Sequence, residues 1–276
     1  MDKLPFLKIA LVGPLSTVLP STEQTQLLRA CLWSRESSAE AWREWSREIA
    51  DPAAFLREDT DGVKGLLPLL FHSLQDKDVV IDKEFHTYLR TAYLRDELRS
   101  KAYSQICRDV TSLFENAGIP AVVLKGAALA ETAYPKPVLQ HSHYLDVLVH
   151  DDDLSRAVDL LPSLEFTRSS EPNGYAWNRC EFVHESGLPL VLYRRLFGVP
   201  FFEIPMEDFW ARSRMHKICG VPTRLLSPAD NLFHICSSVF DAASHDSLRW
   251  VCDAWFIIRQ YPNLDWDLLL NCARRS

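Results

Sequence analysis

The sequence predicts an α+β protein: a small mixed sheet flanked by N-terminal and C-terminal helical segments. Three observations carry this expectation. Apolar residues recur every three or four positions through 82–117 (Phe85, Leu89, Ala92, Tyr93, Tyr103, Ile106, Val110, Leu113, Phe114), the period of a buried helix face. Short apolar runs bounded by Pro, Gly and Asn follow between Ile119 and Leu196, as strands with tight connections would. Past Ser227-Pro228, a serine N-cap with proline at the first helical position, the helical period returns.

Taken in order, Ser21-Thr22-Glu23-Gln24 has the pattern of a capping box, opening a helix to about Trp33 that buries Leu27, Leu28, Cys31 and Leu32. Ser38 is expected to open a second helix through Ala50, with Trp42 and Trp45 on one core-facing side. Asp59-Thr60-Asp61-Gly62 reads as a turn, and 66–74 as a buried helix around Pro68. Asn116-Ala117-Gly118 ends the long helix in the C-terminal glycine manner. A strand at 121–124, a Lys125-Gly126 turn and a helix at 127–133 come next, and a connection through Pro135 and Pro137 reaches a second strand at 145–149. Asp151-Asp152-Asp153 is expected to cap and charge the start of a helix at 154–161, where carboxylates complement the dipole, rather than to hold a metal. A strand at 164–168, a polar loop at Asn173-Gly174 and a hairpin of 181–185 with 190–196 around Ser186-Gly187 complete the central unit. Phe209 and Trp210 sit on a short helix. Runs at 215–218 and 223–226 flank a turn at Cys219-Gly220-Val221-Pro222, and helices are expected at 229–239, at 248–260 and from Asp265 onward. The resulting division is 1–118 helical, 119–200 α/β and 201–276 helical.

The totals exclude several classes. With 276 residues, 47% hydrophobic and 24% charged, the chain can bury a substantial core. A net charge of −7 argues against a surface built for long nucleic acid, though a nucleotide needs only a few local cations. Seven scattered cysteines without a C-x-x-C pair fit a reduced protein better than a disulfide framework. Lys8 and Pro14 interrupt the only stretch resembling an export signal, and nothing approaches the ~18 apolar residues of a membrane span. The expectation is a cytoplasmic protein.

The stretch 119–150, IPAVVLKGAALAETAYPKPVLQHSHYLDVLVH, suits an acidic group on one strand facing phosphates at a neighbouring helix N-terminus. It resembles the bacterial uncharacterised nucleotidyltransferases, a branch of the polymerase-β-like superfamily, whose members carry an LKG-type turn, then an Arg, then a strand with Asp-x-Asp. AGIPAVVLKGAALAETAYP, RLLSPADNLFHIC, LRWVCDAWFII and LDWDLLL resemble the family as well, so the likeness covers most of 60–273. It implies a nucleotidyltransferase-type sheet at about 119–197 and transfer of a nucleoside monophosphate from an NTP, with Mg2+, to an acceptor. That chemistry uses two divalent ions held by convergent carboxylates, and Asp-x-Asp works because alternate strand residues share a face.

Leu124-Lys125-Gly126 keeps the family's turn, and the resemblance makes Lys125, Gly126, the N–H groups of Ala127 and Ala128, and Tyr144 the nucleotide-binding candidates. Asp146 matches the second acid and is the one metal-ligand candidate. Tyr144 stands at the first acid, Val191 at the third, Tyr193 at the family's His and Gln140 at its Arg. Glu181 and Glu185, on the hairpin strand beside Val191, are the acids able to rebuild the centre. His141 and His143 beside Asp146 admit a transition-metal reading against that of solvated loop residues. His234, Cys236, His245 and Cys252 match no zinc spacing and read as core or boundary residues. No G-x-S-x-G elbow supports a hydrolase.

Two readings follow. In one the two-metal centre is degenerate, and the protein binds a nucleotide or a protein or peptide partner in a biosynthetic or modification pathway. In the other an active transferase uses Asp146, Lys125 and Glu181 or Glu185. A degenerate site should pack Tyr144 and Val191 where the acids stood. An active one should bring a second carboxylate to a point shared with Asp146.

Overall fold

The computed structural model describes residues 18–58, 62–75, 79, 81–169, 178–197, 204–239 and 248–275. The expected turn at 59–61, the loop at Asn173-Gly174 and His245 lie outside them. The chain divides into two compact units, Met1–Tyr93 with Ser237–Cys252, and Leu94–Cys236 with Asp253–Ser276.

In the first unit, α1 (Thr22–Leu32) opens on the expected capping box: Gln24 N–H donates to Ser21 Oγ and Ser21 N–H to Gln24 Oε1. The second helix, α2 (Arg35–Glu48), starts after Ser34, four residues earlier than expected. Ser38 is therefore inside the helix, buried, and its hydroxyl donates back to the Ala30 carbonyl, which removes it as a cap. α3 (Pro52–Arg57) is capped by Asp51, and α4 (Leu67–Leu74) carries Pro68 in its first turn. Trp42 and Trp45 pack with centroids 5.3 Å apart, and Phe85 stacks on Trp42, so the tryptophans are core as expected.

The long periodic run is one helix, α5 (Lys83–Asn116). Gly118, at φ +66°, reverses the chain, with Ile119 N–H bonded to the Phe114 carbonyl. The second unit follows as β1 (Ala121–Leu124), α6 (Lys125–Thr132), β2 (Leu145–Val149), α7 (Leu154–Leu160), β3 (Phe166–Arg168), β4 (Arg179–His184) and β5 (Pro189–Tyr193). It continues as α8 (Met206–Arg212), β6 (Arg214–Ile218), β7 (Val221–Leu225), α9 (Pro228–Ser238), α10 (Arg249–Gln260) and α11 (Trp266–Arg275). Asp151–Asp153 form a 3-10 turn before α7 without a side-chain capping bond. Their carboxylates pair with arginines instead, Asp153 with Arg156 and Asp151 with Arg194.

One mixed sheet of seven strands runs β3-β4-β5-β2-β1-β7-β6. β2 is parallel to β5 and β1 to β7, and the remaining pairs are antiparallel. The hairpin β6–β7 comes from beyond residue 200, so the sheet is wider than the expected 119–197. β1 and β2 are buried along their whole length, which is why they read as continuous apolar runs. One face (Val123, Leu145, Val147, Leu192) packs on Ile106, Cys107, Val110 and Phe114 of α5, and the other (Val122, Leu124, Leu148, Val191) on Leu196, Phe197, Phe209 and Phe233. Among the described residues no helix is long and apolar enough to cross a membrane, and every cysteine is a free thiol.

Phe114→Ala should lower stability by about 3–5 kcal/mol, as large-to-small changes at filled aromatic sites do. Gly118→Ala, where an added Cβ meets nothing within 4 Å, should cost about 1–2 kcal/mol through its positive φ alone. Denaturant midpoints of the two variants check both values.

Candidate functional site

The cleft is organised by strand register. Asp146 pairs with Leu124 on β1 and with Val191 on β5, and Val191 in turn pairs with Glu181 on β4. Directly opposed residues share a face, so Glu181, Val191, Asp146 and Leu124 form one row across four strands. Leu124 leads into α6 through Lys125, whose φ of +46° is a left-handed conformation that a non-glycine residue adopts only when its surroundings hold it. That bend brings the Lys125 ammonium over the row. Its Nζ lies 3.5 Å from Asp146 Oδ1, donates to Tyr193 Oη at 2.9 Å and sits 5.0 Å from the centroid of that ring.

Asp146 is buried beside this cation. Tyr193 is buried too, and burial raises its phenol above the usual value despite the opposing charge of Lys125. Behind them His234 is 1% exposed. Burial first, and then the charge of Lys125, push its pKa down to about 3 against the opposing hydrogen bond with the Leu196 backbone. The imidazole is therefore neutral at physiological pH, and no acceptor or donor meets its Nδ1 among the described residues.

The expected site residues are distributed unevenly. Lys125 and Asp146 come together, and Val191, 3% exposed, fills the position beside Asp146 with an isopropyl group. Tyr144 does not pack in; it is 42% exposed. It precedes the first ladder residue, Leu145, and Ser142 Oγ donates to its carbonyl. Glu181 shares the row, but its backbone is two strands, roughly 10 Å, from that of Asp146, and its carboxylate pairs with Arg179 at 3.3 Å. Glu185 lies past the end of β4 at the exposed hairpin, where it raises the pKa of Glu165. At Gly126 an added Cβ would stand 2.3 Å from Ser142 Oγ and 2.7 Å from Gln140 Oε1, so the 140–142 loop occupies the space that a side chain would take. Ala127, half-buried, continues α6 from there.

Sequence reasoning missed the groups that hold this loop. His141, read as a solvated loop residue, is buried with Nδ1 2.7 Å from the buried carboxylate of Asp96. Tyr103 donates to the His143 carbonyl, and the His141 and His143 rings meet edge to face. Gln140, where the resemblance leads one to expect an Arg, points Nε2 toward buried Asp253, whose carboxylate accepts a 2.6 Å bond from Tyr134. Asp96 sits on the long periodic helix, where it reads from sequence as one more solvated charge.

Magnesium takes oxygen ligands, and a two-ion centre needs carboxylates converging on a shared point. The donors present do not fit that centre. Among the described residues one carboxylate, Asp146, is available, an ammonium stands beside it, and its neighbour across the register is Val191. No cluster of three or more His, Cys, Asp or Glu able to hold a metal occurs among the described residues.

The family model of uncharacterised nucleotidyltransferases matches residues 62–276. This chain belongs to that family. No curated protein matches it. Similar solved structures include the antibiotic-resistance factor ANT(2'')-Ia in solution (10% identity, TM-score 0.47, covering 63% of this chain and 92% of that one). The lincomycin-bound lincosamide adenylyltransferase LnuA shares 11% identity at TM-score 0.39, covering 53% and 90%. An antigenic nucleotidyltransferase-like protein from Paracoccidioides brasiliensis shares 14% at TM-score 0.39, covering 63% and 88%.

Two outcomes follow from the loop. Burial alone would raise the Asp96 carboxyl, but the hydrogen bond and charge of His141, with Arg95, hold it below its ordinary 3.8. Its stabilising contribution is therefore present above that value and is lost as pH falls through the lower folded-state pKa. Asp96→Asn should flatten the loss of stability below pH 3.8 relative to wild type, read by urea unfolding across pH. Gly126→Ala should displace the 140–142 loop and lower stability by about 1–3 kcal/mol, as overpacking does. Thermal unfolding checks the loss.

Proposed function

We propose that this protein is a nucleotidyltransferase-fold protein whose two-metal centre is degenerate, and that it binds a nucleotide or a protein or peptide partner through the old cleft. It would serve a cytoplasmic biosynthetic or modification pathway. The observation that carries this reading is the register of Asp146 with Val191, together with the Lys125 ammonium 3.5 Å from the remaining acid. Nucleotidyltransferases of this kind use an NTP and Mg2+, and transfer needs charge on the attacking and leaving oxygens that one neutralised carboxylate does not organise. Lys125, Gly126, Ala127 and Tyr144 are the candidate nucleotide contacts. Tyr144 offers an exposed aromatic ring for a base.

The second reading, an active transferase, has one observation in its favour: Glu181 lies in the same row as Asp146. It requires Glu181 to leave Arg179 and reach past Val191.

Calorimetry with each nucleoside triphosphate, with and without magnesium and with Asp146→Ala as control, separates the two. The degenerate reading expects affinity unchanged by magnesium. Magnesium-dependent tightening that disappears in Asp146→Ala establishes the rebuilt transferase instead.

A further inference from the structure

In a two-metal cleft the protein supplies anions and the cations arrive with the substrate. Here the cations belong to the chain. Lys125 Nζ stands over Asp146, and Arg179 lies directly across the register from Tyr193, the residue whose hydroxyl accepts the Lys125 hydrogen bond. Both cations keep contact with solvent: the Lys125 side chain is 23% exposed and Arg179 is half-buried. His234 stays neutral and adds no charge, and Val191 adds none. Among the described residues, the anions on this row are Asp146 and Glu181.

The contact geometry ranks these interactions. Lys125 donates a hydrogen bond to the uncharged phenol at 2.9 Å, while the carboxylate of Asp146 is held at 3.5 Å by charge rather than by a hydrogen bond at that length. A phosphoryl oxygen reaching Nζ would form a charge-assisted bond shorter than the present contact with Asp146.

Resting on the degenerate-centre reading, we propose that Lys125 is the working cation of this cleft. It takes an oligophosphate without any divalent ion, and Asp146 acts as the internal anion that competes for it. Tyr193 positions the ammonium, and Arg179 is the second cation available to the same chain of phosphates. This arrangement inverts the role of the acid. In a metal-dependent cleft, neutralising the acid abolishes binding; here it removes a competitor.

The test is calorimetry of the full chain with inorganic tripolyphosphate in EDTA. Wild type should bind, and replacing EDTA by magnesium should not tighten binding. Asp146→Asn should strengthen it three- to tenfold, Lys125→Met should weaken it at least tenfold, and Lys125→Arg should keep most of it. Circular dichroism and thermal midpoints identify any variant that fails to fold, and the Arg variant separates loss of charge from loss of structure. Weaker binding by Asp146→Asn, or binding indifferent to Lys125→Met, overturns the proposal. No binding by wild type or Asp146→Asn at millimolar tripolyphosphate overturns it too, while leaving a degenerate cleft that serves a protein or peptide. Magnesium-dependent tightening lost in Asp146→Asn overturns both this proposal and the degenerate reading beneath it.

Discussion

The contact between Lys125 and the buried carboxylate of Asp146 is the constraint from which the rest of the cleft follows. A carboxylate left unpaired among Leu124, Leu148 and Val191 would carry a desolvation penalty of several kcal/mol. An ammonium answers that penalty here. To deliver it, the chain bends into a left-handed conformation at Lys125, at the junction of β1 and α6, and Tyr193 takes the hydrogen bond that holds the side chain across the strands. The neutral state of His234 follows first from its own burial and then from Lys125, beside which a second cation would be repelled.

The sheet is the rigid frame for this arrangement. β1 and β2 are covered on both faces, so their register cannot slip by one residue without turning Asp146 into the core that α5 fills. The hairpin β6–β7 widens the frame by placing β7 alongside β1, with Thr223 Oγ1 bonded to the Ala121 carbonyl. Arg212 donates to Asp230 through Nε and Nη2, and Ser227 bonds the same carboxylate, fixing the start of α9 that carries His234.

A second buried polar network holds the loop before β2. His141 on Asp96, Tyr103 on the His143 carbonyl and Tyr134 on Asp253 anchor the segment that presses on Gly126. This gives Gly126 a physical reason independent of any ligand: only a residue without Cβ lets Gln140 and Ser142 approach α6 so closely. Gln140, 5% exposed, leaves Oε1 without a partner among the described residues.

The sequence by itself determined the helix–sheet–helix order, the limits of β1 and β2, the length of α5 with its Gly118 terminus, and the family. Each is written in local periodicity, capping and motif spacing, which act over a few residues. It also marked four positions, Gln140, Tyr144, Val191 and Tyr193, where the resemblance leads one to expect other residues. Tertiary structure alone decided what they became. Val191 went into the core while Tyr144 stayed exposed, because the pairing of β2 with β5 sets Val191 beside Asp146 and Tyr144 precedes that ladder. The Lys125–Tyr193 bond spans 68 positions and the His141–Asp96 pair 45, and pairings at such separation follow from strand order and helix placement, which no local pattern encodes.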